Sequence, residues 1–207
     1  MNTGFTKLLR FPDAKGSSGV AKKIVIITAP SGAGKTSITH YLLEKFPQLS
    51  FSISAATRKP RKGEVSGRDY YFMSPDEFNS KIKANEFLEW EMVYEGKYYG
   101  TLRTEIERLW SEQKYPLLDI DVKGAIHVKE QYHGDCLTIF IEPPSVRELA
   151  RRLASRGTES EEMLQTRIAK AEYELSFSDQ FDNVVVNADL QEACADVEKL
   201  VRKFLKL

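Results

Sequence analysis

Apolar residues along the chain follow two rhythms that alternate: short unbroken runs, and longer stretches with gaps of three and four. Ile24-Val25-Ile26-Ile27 is a β-branched run with charge before it and Pro and Gly after it. Such a run suits a strand buried on both faces of a parallel sheet. Beyond it Ile38, Tyr41, Leu42, Leu43 and Phe46 recur at helical spacing from Lys35 until Pro47 stops the run. Ser74-Pro75-Asp76-Glu77 offers a hydroxyl cap, a proline at the first helical position and a glutamate at the third, predicting a short helix carrying Phe78, Ile82 and Phe87. Leu117-Leu118-Asp119-Ile120-Asp121 and Thr138-Ile139-Phe140-Ile141 read as two more buried strands, the second closed by Pro143-Pro144. Ser145-Val146-Arg147-Glu148 is a capping box that opens a helix with Val146, Leu149, Ala150 and Leu153 inward. Val184-Val185-Val186 predicts a fourth strand, and Leu190, Ala193, Cys194, Val197, Leu200, Val201 and Phe204 mark an amphipathic C-terminal helix.

Strands alternating with helices imply an α/β fold with a mostly parallel sheet flanked by helices. The stretch from Phe51 to Arg103 breaks that alternation, and Tyr70-Tyr71-Phe72 and Lys97-Tyr98-Tyr99 predict short antiparallel strands in an inserted lobe. At roughly 150 residues per domain, a chain of 207 residues fits one core carrying insertions. Lys+Arg and Asp+Glu both number 30, so no global field draws this protein to nucleic acid or acidic lipid, and any anion site is local. Cys136 and Cys194 lack CxxC spacing, which excludes a disulfide framework or thiolate metal site and fits a reducing, cytoplasmic setting. No apolar run approaches the roughly 18 residues of a membrane span, and Lys7 and Arg10 interrupt any signal-like stretch. A soluble protein with no membrane partner is expected, with residues 1–22 as a flexible lead-in.

Ala29-Pro30-Ser31-Gly32-Ala33-Gly34-Lys35-Thr36 matches the Walker A pattern G-x-x-x-x-G-K-[ST], with Ala29 where the first glycine is usual. Gly32 and Gly34 permit the turn that aims successive N–H groups at one phosphate, Lys35 adds a point charge toward the β- and γ-phosphates, and Thr36 offers a hydroxyl to Mg²⁺. A plain surface turn is the alternative, but the setting between a predicted strand and a predicted helix favours nucleoside triphosphate binding. The Asn-Lys-x-Asp guanine reader of switch GTPases is absent, and the insertion points to a second substrate.

Four of the five positions from Arg58 to Lys62 are basic. Arg58 and Arg61, three apart, are held around Pro60 ahead of a glycine turn at Gly63, and guanidinium forks suit a phosphate monoester, with Tyr70 and Tyr99 as neutral donors. With these residues the chain resembles the guanylate kinases, which phosphorylate GMP with ATP. The resemblance rests on Ala29 to Thr36, Ser54-x-x-Thr57-Arg58-x-Pro60-Arg61-x-Gly63-Glu64, Gly67-x-x-Tyr70-x-Phe72, Phe87-x-Glu89-Trp90 and Tyr98-Tyr99-Gly100-Thr101. It continues through Asp119-Ile120-Asp121-x-x-Gly124, Pro143-Pro144-Ser145 and Arg152-x-x-x-Arg156-Gly157. It implies a core of residues 23–53, 104–144 and 182–207, a GMP-binding lobe over 54–103 and a helical lid over 145–181. It also implies ATP and GMP (with dGMP) as substrates, Mg²⁺ as cofactor, and a monomer or small homo-oligomer. Carried over by position, Arg58, Arg61, Tyr70 and Tyr99 hold the GMP phosphate and Ser54, Glu89, Thr101 and Asp119 address guanine, with Glu64 and Gly100 in the same substrate-binding segments.

The chemistry agrees. Guanine presents an O6 acceptor beside N1–H and N2–H₂ donors, so a hydroxyl and a carboxylate read it, whereas adenine inverts the pattern. The acceptor phosphate, with a second pKa of about 6, needs no general base, which leaves His40, His127 and His133 without catalytic duty. Bringing two anions together is the obstacle, so catalysis comes from positioning and charge neutralisation. On the helix after Ser145, Arg152 and Arg156 border the apolar stripe and Arg147 and Arg151 lie across it. The resemblance picks the same near pair and adds Arg167 as a clamp on the migrating phosphoryl group. Strand alternation puts Asp119 and Asp121 on one face, Asp121 suited to Mg²⁺ or its waters and Asp119 turned to the base, unless one of them caps the following turn. Guanylate-kinase-like domains also occur as non-catalytic interaction modules, but Lys35, Arg58 and the lid arginines are all retained. A kinase for another nucleoside monophosphate is the third reading.

Overall fold

The structure, a computed structural model, describes residues 21–155 and 161–207. The first half of the chain forms β1 (Ile24–Thr28), α1 (Lys35–Lys45), β2 (Leu49–Phe51), β3 (Ala55–Ala56), β4 (Tyr71–Phe72), α2 (Pro75–Lys83), β5 (Phe87–Tyr94) and β6 (Lys97–Leu102). The second half forms α3 (Arg103–Ser111), β7 (Tyr115–Asp119), α4 (Val122–Tyr132), β8 (Cys136–Glu142), α5 (Val146–Ala154), α6 (Glu161–Leu175), β9 (Asn183–Val186) and α7 (Leu190–Leu205).

β1 reads as an unbroken apolar run because both of its faces are covered. Ile24 and Ile26 pack with Ile106 and Trp110 of α3 and Ala125 and Val128 of α4, while Val25 and Ile27 pack with Ile38 and Leu42 of α1 and Val197 and Val201 of α7. The five-stranded sheet runs β2-β7-β1-β8-β9, every pair parallel. Adjacent strands β1 and β7 therefore feed helices on opposite faces, which opens a crevice at their carboxyl ends, the usual ligand position in such sheets. The segments entering that crevice are Ala29 to Thr36 and Asp119 to Asp121.

A second sheet runs β4-β3-β6-β5. Its core is Ala55, Phe78, Phe87 and Leu102, with the Phe78 ring 4.2 Å from Phe87 and 5.4 Å from Tyr98. Tyr71-Phe72 differs from expectation: β4 runs parallel to β3, and the antiparallel pairings are those of β6 with β3 and β5. The long excursion from Thr57 to Tyr70 acts as a crossover rather than a hairpin turn, so the chain re-enters in its original direction. Phe87 also departs from the helical reading. α2 starts on its Ser74 cap as predicted, but Asn85 at φ 56° turns the chain after Lys83, and Phe87 opens β5.

Asp121 is a further correction, since β7 ends at Asp119 and Asp121 is the N-cap of α4, its Oδ1 accepting from the Gly124 N–H at 2.9 Å. Strand alternation therefore does not relate the two aspartates. α5 opens on Ser145, whose Oγ accepts from the Glu148 N–H, and packs Leu149 and Leu153 on Leu164, Ile168 and Ala171 of α6. Arg156 and most of the expected lead-in lie outside the described residues. No described helix is long and apolar enough to cross a membrane.

Candidate active site

Between β1 and α1 the chain turns on two glycines in the left-handed region, Gly32 at φ 92° and Gly34 at φ 99°. Gly34 is the N-cap of α1, with no side-chain cap and no acid in the first turn. The opening N–H groups of an uncapped helix carry partial positive charge and call for an anion. Lys35 and Thr36 begin that helix, and the Lys35 ammonium is ion-paired with Asp119 at the end of neighbouring β7. Ala29, Pro30 and Ala33 are buried and Ser31 is exposed. A Cβ at Gly32 would come within 3.0 to 3.2 Å of Leu153 and Leu149, so α5 lies directly on the loop.

In the second sheet Arg58 is the hub. Its guanidinium lies 4.6 Å from the Tyr70 ring and 5.3 Å from Phe72, and Tyr70 meets Tyr99 edge to face at 6.2 Å. Both arms of its fork are held by Glu64, at 2.6 and 2.7 Å, and Glu64 also accepts from the Arg61 N–H at 2.7 Å. These bonds, Arg58 foremost, pull the Glu64 carboxyl down to about 2. Glu64 thus orders the Arg58 fork and the backbone at Arg61, which explains its place in the motif. The Arg61 side chain is exposed, and Ser54 stands at the entry to the sheet, its carbonyl accepting from Tyr71 N–H.

Glu89 of β5 faces Thr101 of β6 in register, and the Thr101 hydroxyl donates to Glu89 Oε1 at 2.6 Å. Glu89 is only 5% exposed, and burial pushes its carboxyl up to about 7 against the opposing Thr101 bond. A Cβ at Gly124 would lie 2.8 Å from Glu89 Oε2 and 3.5 Å from Asp121 Oδ2, so the second sheet and the start of α4 meet here. Gly100 has a packing reason to be glycine: a Cβ would sit 2.7 Å from the Glu89 carbonyl and 2.8 Å from Trp90 Cβ.

Arg152 and Arg151 separate as the helix geometry predicts, with side chains 23% and 72% exposed. Arg152 donates from Nε to Glu148 at 2.8 Å and from Nη2 to the Asn187 carbonyl at 3.1 Å. Arg167 is half-buried on α6. Three residues missing from the sequence reading also reach the site or its support. Glu91, two along β5 from Glu89, hydrogen-bonds Asp121, and burial followed by that bond raises its carboxyl to about 7. Glu105 of α3, 2% exposed, accepts from the Ile53 N–H, the Tyr71 hydroxyl and Arg108, bracing the crossing between the sheets. Asn187 follows β9 and contacts the glycine loop. The available signal was the one that exposed Asp119: a polar residue ending an apolar strand at its carboxyl end.

An uncapped helix behind a lysine-bearing glycine loop, on a parallel sheet of this order, defines a P-loop nucleotide-binding protein. Residues 21–204 match the family model described as guanylate kinase. The guanylate kinase of Bacteroides fragilis is 47% identical over 183 residues, 88% of this chain and 90% of the relative. That of Salinibacter ruber is 50% identical over 184 residues, 89% and 97% of the two chains. The crystal structure of guanylate kinase from Anaplasma phagocytophilum is 31% identical with a TM-score of 0.69, covering 90% of this chain and 87% of that one. The chain belongs to the guanylate kinase family.

Proposed function

We propose that this protein transfers the terminal phosphoryl group of ATP to GMP, and to dGMP, in the cytoplasm, as a monomer or small homo-oligomer. The observation that carries the acceptor choice is the buried Glu89–Thr101 pair, which abuts Asp121 at the mouth of the crevice holding Lys35. Guanine's N1–H and N2–H₂ supply the donors that a desolvated carboxylate lacks, and Thr101 and Ser54 add hydroxyls. AMP leaves Glu89 facing an acceptor, an unpaired buried charge.

Arg58, Arg61, Tyr70 and Tyr99 receive the GMP phosphate, the fork of Arg58 passing from Glu64 to phosphate oxygens. The loop N–H groups and Lys35 bind the ATP phosphates, Lys35 exchanging Asp119 for phosphate. Asp119 then serves as the counter-charge that orients Lys35, in addition to its expected role near the base. Arg152, Arg156 and Arg167 close on the migrating group, and closure excludes water that would otherwise take it.

The donor set fits Mg²⁺. Thr36 and Asp121 offer hard oxygens, the Asp121 carboxylate being held in place by the Gly124 N–H on Oδ1 and by Glu91. Mg²⁺ keeps several waters and binds through one or two protein oxygens together with substrate phosphates, so this pair is a sufficient protein contribution. When bound, Mg²⁺ supplies charge neutralisation at the phosphates.

The test follows ³¹P resonances of MgATP and GMP with the enzyme. GDP and ADP are expected to appear in equal amounts; ADP without GDP, or ADP formation independent of GMP, would overturn the proposal.

A further inference from the structure

Asn187 lies far from every motif in sequence, yet it is the buried partner of the glycine loop. It follows β9, its N–H donates to the Glu142 carbonyl at 2.7 Å, and it is 4% exposed. Its side-chain Nδ2 donates to the Ala33 carbonyl at 2.7 Å. Because the acceptor is a carbonyl, only this amide orientation makes the bond. A trans peptide is planar, with its C=O and the following N–H pointing opposite ways. Fixing the Ala33 carbonyl on Asn187 therefore fixes the Gly34 N–H in the opposite direction. The same side chain adds to the demand for glycine at 34 that φ 99° already makes, since a Cβ there would lie 2.2 Å from the bonded Asn187 Nδ2. The Asn187 carbonyl also accepts from Arg152 Nη2 at 3.1 Å, so one residue holds both the loop and an arginine of α5.

We propose that Asn187 is a positioning residue for phosphoryl transfer, locking the Ala33–Gly34 peptide so that the Gly34 N–H is presented to the ATP phosphates. The inference rests on the ATP role proposed for the loop. Asn187→Asp keeps the shape and replaces the donor with an acceptor; Asn187→Ser is the milder truncation should the first variant fail to fold. Calorimetry on the full chain measures MgADP and GMP affinities separately, with melting temperature recorded in parallel. Loss of one oriented hydrogen bond is expected to weaken MgADP roughly tenfold or more, with GMP affinity within about twofold of wild type. In ¹⁵N-labelled wild type, the Gly34 amide resonance moves on MgADP addition while the Asn187 side-chain amide stays protected from exchange, bound and free. A lower melting temperature with MgADP affinity unchanged, or with both nucleotides weakened equally, would show a merely structural residue and overturn the proposal. So would loss of Asn187 protection in bound wild type. Wild type that binds no MgADP would instead remove the reading of the loop itself, and this inference with it.

Discussion

Replacing Glu89 with glutamine tests the guanine reading at its least solvated point. Glu89 is 5% exposed, with one oxygen on the Thr101 hydroxyl and the other against Gly124. Glutamine keeps the shape but exchanges an acceptor for an N–H₂ donor facing guanine's own donors. One charge-assisted bond is lost and one buried donor is left unpaired, together about 3 to 4 kcal/mol, or a factor of roughly 10² to 10³ in kcat/KM for GMP. The KM for ATP should stay within about twofold, because the loop is untouched. The ligand-free protein should respond in the opposite sense. With its carboxyl at about 7 against an ordinary 4.5, Glu89 in the folded chain holds a proton that the unfolded chain releases. Its stabilising contribution is therefore complete below about pH 4.5 and is lost as pH rises through about 7, a difference of about 3 kcal/mol. Glutamine does not titrate, so the variant should match wild type near pH 4.5 and melt several degrees higher at pH 8, the dependence on the other shifted carboxyls, Glu91 and Glu174 among them, being common to both. Steady-state kinetics and calorimetric melting from pH 4.5 to 8 measure both effects. Unchanged GMP kcat/KM, or a variant less stable than wild type at pH 8, would refute the reasoning.

Arg58→Lys keeps the charge but not the fork that Glu64 now grips with two bonds, so KM for GMP should rise roughly 10- to 100-fold with KM for ATP little changed; equal shifts in both would contradict the assignment. Arg152→Ala should lower kcat by roughly 10²-fold or more with modest change in either KM, read by initial rates. Phe78→Ala removes a ring stacked between Phe87 and Tyr98 and should cost about 3 to 5 kcal/mol in urea unfolding; a loss below about 1 kcal/mol would mean that this small core does not act as a packed unit.

The sequence displayed what is local and missed what depends on contact between distant segments. β1, the glycine loop and α1 are legible because burial on both faces, backbone turn and cap are each written in consecutive residues. The Ser74 and Ser145 caps are legible for the same reason. Phe87 was misplaced because helical spacing continues past the Asn85 turn, where only backbone φ marks the break. Asp121 looked like a strand residue because nothing local separates strand alternation from a capping turn. Glu105 and Glu91 were silent, since each acts through a partner many residues away, Ile53 and Asp121, and Asn187 showed only as a polar residue closing an apolar strand, its partner Ala33 being equally distant. Conversely, Gly100, which the family resemblance sets in a substrate-binding segment, is required by packing between β5 and β6.

The most direct test of the account is acceptor choice by the wild-type enzyme: kcat/KM for GMP, IMP, AMP, dTMP and UMP with saturating MgATP at pH 7.5. GMP should lead. IMP, which keeps O6 and N1–H but lacks the 2-amino donor, should fall by roughly 10- to 100-fold, and AMP by roughly 10⁴-fold or more. AMP used as well as GMP, or IMP indistinguishable from GMP, would contradict a site in which Glu89 and Thr101 read the guanine edge.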